Sequence, residues 1–287
     1  MKHAFLPGLT AVVLSLFAVP SFAQQSKAVM IRLSPLPERV ATADAVAVGK
    51  VTAIEDKTVS AEPFAGAKDK VEYQIAVIKV EDGLLGTKGL THLKVGMVKV
   101  PEGKPVIRPG GRGAVRLAID QEGLFFLHKH PTESFYLLQG PNDVINKASG
   151  DNFEKQVARA KECAKLLADP KVGLKSKDVG ERALTAGLLV IRYTTPAPGQ
   201  TKLEPIPAEE SKQVLTALAD GDWTRPNSQD DLTPQWAFSR LRLTDKDGWN
   251  PGPLTGPNAF PDAAKGWLKA HADSYRIQRF VGEKKEK

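Results

Sequence analysis

The fold of the first half of the chain is decided by the stretch Val71-Glu72-Tyr73-Gln74-Ile75-Ala76-Val77-Ile78-Lys79-Val80. From Val71 to Val77, every second side chain is large and apolar, and the residues between them are mostly smaller or polar. This period of two is typical of a β-strand with one buried face. Turn-forming glycines at Gly83 and Gly86 follow the stretch and are expected to end the strand.

Similar stretches lie on both sides of it, separated by loops rich in Gly, Pro and polar residues. They predict five or six short strands with little helix, which is typical of a small barrel or a sandwich. The predicted strands cover residues 45–54, 71–80, 92–100 with a possible bulge at Gly96, 114–119, 123–127 and 135–138.

The hydrophobic period becomes helical from about residue 151. Polar residues such as Asp178 and Thr233 stand where helices would begin, and Thr233 is followed by a proline suited to the first helical position. Helices are predicted over about 151–169, 178–195, 208–219, 233–241 and 261–275, with a Pro-rich linker at 195–207 and a long loop at 244–260. Arranged in pairs, five short helices resemble one or two turns of an α-solenoid of the HEAT type.

At the N-terminus, a positive charge, an apolar run and a small-residue site follow one another in the order that is typical of a secretory signal peptide. Lys2 precedes an apolar run over residues 11–19, and Pro20 and the small-residue site Ser21-Phe22-Ala23 follow. The run is shorter than the roughly 20 residues that span a bilayer, and no later segment is comparably apolar. We therefore expect residues 1–23 to be removed, and the mature chain to be exported to the periplasm or the medium without a membrane span.

Composition excludes some classes of function. The formal charge of +7 is modest and evenly spread, whereas nucleic-acid binding usually needs a concentrated basic face. The single cysteine, Cys163, excludes an intramolecular disulfide and lies among helical apolar positions, which favours core packing. The mixed-charge tail 283–287 is predicted to be disordered.

Three segments carry a resemblance to a known family: residues 43–51, with Gly49-Lys50-Val51, residues 73–86, with Leu84-Leu85-Gly86, and residues 124–127. Together they resemble bacterial exported OB-like domains, which are similar to the netrin-like module of metalloproteinase inhibitors. The chain as a whole also resembles uncharacterised secreted proteins of planctomycete-type bacteria. The resemblance covers roughly residues 40–140 and implies a small OB-like β-barrel. Together with the change of hydrophobic period, it predicts an α+β protein with an OB-like β-domain over residues 28–145, followed by a short helical (HEAT-like) domain over residues 146–282.

The inhibitory activity of that family is not expected of this chain. Such inhibitors chelate the metal of the enzyme through a mature N-terminal cysteine, whereas the mature chain here is predicted to begin at Gln24. The resemblance therefore implies a fold and no activity.

The sharpest candidate for chemistry is the pair His128 and His130. Residues two apart on a strand share a face, so the two imidazoles can converge on a metal. A zinc site needs three or four ligands, and His92 or Glu133 are candidates for the third. The alternative interpretation is two exposed histidines at the end of a strand.

Two other features are weaker candidates for ligand binding. Arg108 and Arg112 flank Pro109-Gly110-Gly111, a segment suited to a backbone nest for an anion or to an ordinary turn. Trp249 lies in a Gly- and Pro-rich loop, where an exposed ring would provide a binding platform.

Catalytic motifs for nucleophilic, zinc-protease or dinucleotide chemistry are absent from the sequence. The expected function is a non-enzymatic binding or interaction module of the periplasm or cell envelope, with an unknown protein or envelope component as partner and no cofactor. The alternative is a metal-dependent hydrolytic enzyme that uses His128 and His130.

Overall fold

A six-stranded sheet occupies the first half of the chain. The computed structural model describes residues 34–99, 115–150, 152–198, 200–226, 228 and 230–282. A short helix, α1 (Leu36–Thr42), precedes the sheet. The strands are β1 (Ala45–Ala61), β2 (Val71–Leu85), β3 (His92–Val98), β4 (Glu122–Lys129), β5 (Tyr136–Leu137) and β6 (Val144–Asn146).

The hydrogen-bonded pairings lead from β1 through four other strands and back to β1. Strand β1 is antiparallel to β2 along one side and antiparallel to β4 along the other. Strand β2 pairs with β3, β3 pairs in parallel with β5, and β5 pairs with β4. The succession β1–β2–β3–β5–β4 therefore leads back to β1, and β6 extends the sheet from β4.

Helices dominate the second half, as the change of period predicts, so the chain is an α+β protein. A two-stranded antiparallel ribbon accompanies them. In chain order these elements are α2 (Phe153–Ala168), α3 (Pro170–Leu174), α4 (Val179–Thr194), β7 (Gln200–Pro205), α5 (Ala208–Asp220), α6 (Pro234–Arg240), α7 (Ala259–His271) and β8 (Gln278–Gly282).

Side-chain caps set two of the helix starts. The Asp178 carboxylate accepts a hydrogen bond from the backbone N–H of Glu181, and the Thr233 hydroxyl accepts one from the N–H of Trp236. Each bond satisfies a donor that the first turn of a helix leaves without a partner. Both starts confirm the sequence prediction.

Strand β4 is buried on both of its faces. Leu124 and Phe126 pack in a core shared with α1, α2 and α4, whereas Phe125 and Leu127 pack with the other strands, including Ala47 of β1. A strand covered on two sides has a continuous apolar run rather than an alternating one. This explains why residues 124–127 read Leu-Phe-Phe-Leu.

The core shared by the sheet and the helices crosses the boundary predicted near residues 146–150. Phe126 of β4 lies in the same cluster as Val157 of α2 and Leu188 of α4. A second core, built around Trp223, Phe238 and Trp267, holds the later helices together. The division into units at 28–145 and 146–282 stays a prediction, and the proposed tail 283–287 lies outside the described residues.

Several local predictions differ from the structure. Gly96 lies in regular pairing with Ile75 rather than in a bulge, and the ring of Phe135 packs where its side chain would be. Residues 115–118 are not a strand, and the linker predicted at 195–207 contains β7. None of the helices in the described ranges has the length and apolar character needed to cross a bilayer.

Candidate functional site

His128 lies near the end of β4, and its residue is 8% exposed. Burial lowers the pKa of this imidazole, and the nearby carboxylates of Asp143 and Asp44 oppose the shift. Burial also raises the pKa of Asp143, against the opposing effect of His128. The structure thus brings together a buried imidazole and two carboxylates that are distant from each other in sequence.

Main-chain hydrogen bonds hold both carboxylates in place. Asp143 ends a 3₁₀ turn and accepts from the N–H groups of Gln139 and Gly140 at 2.5 and 2.9 Å. Asp44, between α1 and β1, accepts from the N–H of Lys129 at 2.8 Å. Because these bonds fix the acids, the electrostatic environment of His128 is preorganised.

Arg39 of α1 adds a positive charge to this cluster. Its guanidinium donates to the carbonyl of Asn142 at 2.6 Å and lies 4.8 Å from the centre of the Phe126 ring. Burial lowers the pKa of Arg39, and the charge of Asp143 opposes this. The Nε atom of Arg39 is buried and has no hydrogen-bond partner among the residues that the structure describes.

His130 has a different environment from His128. Its Nδ1 accepts from the N–H groups of Thr132 and Glu133 at 3.2 and 3.1 Å, so the proton of the neutral ring is assigned to Nε2. The residue is 4% exposed, and the centre of its ring lies 4.6 Å from that of Phe135 and 5.4 Å from that of Tyr73. Burial lowers its pKa. His130 therefore shapes the turn of the β4–β5 hairpin.

A third metal ligand beside the pair is not found among the residues that the structure describes. Within the described ranges, no group of three or more His, Cys, Asp or Glu residues is arranged to hold a metal ion. Both histidines are buried, which differs from the alternative interpretation of two solvent-facing rings. Metal binding at His128 and His130 stays a prediction, and the metal content of untagged protein tests it.

The other predicted binding residues do not join this cluster. Trp249 is half-buried, and its ring packs edge-on against Phe238, with centres 4.9 Å apart, and against Phe260. It belongs to the edge of the helical core rather than to a free-standing platform. Arg108 and Arg112 lie outside the described residues.

A cavity of about 500 Å³ lies among α2, α4 and α6. Arg159 on α2 binds Glu162 at 2.7 Å and Asp231 at 3.0 Å, and Arg225 lies 3.3 Å from Asp222. Five carboxylates and two guanidinium groups line the cavity, together with apolar and small residues. The charged lining residues are Arg159, Glu162, Asp178, Glu181, Asp222, Arg225 and Asp231.

This cavity is not predicted by any pattern in the sequence. Two of its walls are helix starts, so the capping residues Asp178 and Thr233 were visible in the sequence as local features. Their convergence depends on how α4 and α6 pack, which no spacing along the chain shows.

Comparison with known protein families finds no match for this sequence, and comparison with curated proteins finds none either.

Proposed function

We propose that the protein is an exported, non-enzymatic binding module of the periplasm or cell envelope. The observation that carries this proposal is the charged cavity among α2, α4 and α6. Its volume lies within the range of about 300–1,000 Å³ that is usual for small-ligand sites. Export is supported by the signal-peptide pattern of residues 1–23.

The scaffold proposed for this module is an OB-like barrel. Five strands whose pairings lead back to the first one leave few free edges, and an OB-fold is a small five-stranded barrel of this kind. The parallel pairing of β3 with β5 closes the succession. The HEAT-like arrangement of the helices stays a prediction. Helix α4 packs against several other helices, whereas a HEAT-type solenoid stacks its helices in regular pairs.

The charges of the cavity favour a positively charged ligand. Both arginines are already paired with carboxylates, and Asp178 caps α4. The lining nevertheless has more carboxylates than guanidinium groups, so the cavity has an acidic excess. Carboxylates held by pairs and caps need little rearrangement to accept ammonium or guanidinium donors. The chemical class proposed for the ligand is a polyamine or a basic peptide side chain.

Calorimetric titration with spermidine and with trilysine tests this proposal. We expect saturable binding of at least one probe, weakened about two- to fivefold in Asp231→Asn, which removes one charge and keeps an oxygen acceptor for Arg159. The matched control is Asp56→Asn, an exposed carboxylate on β1. Absence of binding by either probe, or equal weakening in both variants, would contradict a cationic ligand in this cavity.

Export is tested separately. N-terminal sequencing of protein recovered from the periplasm or the medium should begin at Gln24. An intact Met1 on the recovered protein would contradict cleavage after Ala23.

A further inference from the structure

Arg159 on α2 joins two of the carboxylates that line the cavity among α2, α4 and α6. Its Nη1 atom donates to Glu162 at 2.7 Å, and its Nη2 atom donates to Asp231 at 3.0 Å. Glu162 lies on the same helix, whereas Asp231 lies 72 positions further along the chain. The Arg159 side chain is 25% exposed. One guanidinium therefore ties α2 to the segment that precedes α6, with its two terminal nitrogens on different acids.

These partners keep Arg159 charged. Burial by itself lowers the pKa of this guanidinium, but the hydrogen bond to Glu162 and the surrounding charges, including that of Asp231, outweigh burial and raise the pKa. A planar guanidinium donates along fixed directions from separate nitrogens, which suits two carboxylates better than a compact ammonium does. The two acids are thus already neutralised by a cation that belongs to the chain.

Arg225, which also lines the cavity, is held much less firmly. Its Nε atom lies 3.3 Å from Asp222, and the two side chains are 63% and 52% exposed. Exposed ion pairs of this kind contribute little to stability. The two arginines therefore differ in how much a cationic ligand has to displace.

We infer that Arg159 is a built-in competitor of the ligand, so that a cation binds Glu162 and Asp231 only by displacing this guanidinium. This role of Arg159 rests on the proposed function, the binding of a cation in the cavity, and identifies the residue that sets the affinity. It also narrows the class of ligand. Arg159 meets the two acids from two nitrogens, so its replacement needs a guanidinium or two ammonium groups on one molecule. An arginine side chain or a polyamine meets this requirement, and a monoamine does not.

Calorimetric titrations of the full chain with spermidine and with trilysine test the displacement. Arg159→Lys keeps the positive charge but cannot hold both carboxylates in the same way, so the Kd of the probe should fall about three- to tenfold. Arg159→Met removes the competitor and should lower the Kd by at least about tenfold. The matched control is Arg225→Lys, which makes the same exchange at the exposed pair and should leave the Kd within about twofold of the wild-type value.

A second titration, followed by NMR, tests the class of ligand. Butylguanidine and butylamine carry the same charge and the same alkyl chain, and they differ only in the head group that takes the place of Arg159. We expect butylguanidine to bind the wild-type chain at least about threefold more tightly. Equal affinities would overturn the replacement of both bonds by one head group.

The results separate the role of Arg159 from the proposed function. If the wild-type chain binds a probe and Arg159→Lys binds it no more tightly, displacement of the guanidinium does not set the affinity and the competitor is overturned. An equal gain in Arg159→Lys and Arg225→Lys overturns it as well. Failure of the wild-type chain and of every variant to bind spermidine or trilysine overturns the proposed cationic ligand itself. Circular dichroism of each variant confirms that the fold is retained.

Discussion

Glu38 provides the sharpest test of what holds α1 against the helical half. Its side chain is 7% exposed, and its carboxylate accepts hydrogen bonds from the indole N–H of Trp236, at 2.7 Å, and from the guanidinium of Arg240. Arg240 also lies over the Trp236 ring, 5.5 Å from its centre. Replacing Glu38 by alanine removes the acceptor of both donors.

The magnitude follows from the burial of the partners. Breaking a fully buried ion pair costs about 3–5 kcal/mol, but the Arg240 side chain is 34% exposed and can turn toward water. The loss of the acceptor for the Trp236 N–H costs about 1–3 kcal/mol. We therefore expect Glu38→Ala to lower the free energy of unfolding by about 3 kcal/mol. Glu38→Gln should cost about half as much, because the amide oxygen still accepts a hydrogen bond.

Urea unfolding followed by tryptophan fluorescence measures the difference. The control is Asp273→Ala, which removes an ion pair with Lys212. The Asp273 side chain is 80% exposed. Exposed pairs of this kind contribute about 0–1 kcal/mol. If the unfolding free energies of Glu38→Ala and Asp273→Ala agree within about 0.5 kcal/mol, the buried pair does not anchor α1 and the reasoning is refuted.

Three further predictions concern the sheet, the histidines and the cysteine. Gly96→Ala should destabilise the fold by about 1–3 kcal/mol, because the added Cβ would lie 2.4 Å from the Phe135 ring. Gly266→Ala, which adds a methyl group in open space on α7, should stabilise the fold by about 0.5–1 kcal/mol. Urea unfolding in which both glycine variants change the free energy of unfolding in the same direction would contradict this. Burial lowers the pKa of His130 from its ordinary 6.5, so the unfolded chain binds a proton at this imidazole more readily than the folded chain does. The contribution of neutral His130 to the free energy of unfolding should therefore be fully present above about pH 6.5 and should be lost as the pH decreases below it. In His130→Asn, whose amide oxygen can accept the same N–H groups, the fall in the urea midpoint between about pH 7.5 and about pH 5.5 should be smaller; an unchanged slope would show that another group is responsible. Burial raises the pKa of Cys163 to about 12, so a thiol reagent should leave the native protein unmodified and react after denaturation, and rapid reaction of the native protein would disprove a sealed thiol.

Local patterns were sufficient for much of the secondary structure. The alternation at the start of β2 reflects a buried face at Tyr73 and Ile75, although burial passes to Ala76 and Ile78 on the opposite face further along the strand. Asp178 and Thr233 start helices because their side chains satisfy the nearest free N–H groups. These effects act between residues a few positions apart, so the sequence shows them directly. The short helix α1 and the strands β7 and β8 were not predicted, since their segments have no comparable period.

Contacts between distant residues decided the rest. Glu38 meets Trp236 across 198 positions, and the pairing of β1 with β4 closes the succession of strands. His128 and His130 satisfied the spacing rule for one face of a strand, yet tertiary packing gave each ring different neighbours, Asp143 for one and Phe135 for the other. The sequence by itself determined where most of the long strands and helices form, because hydrogen bonding and burial along one element are local. Only the tertiary structure decided which charges share a cavity, because a pocket is lined by residues whose proximity depends on the packing of whole elements.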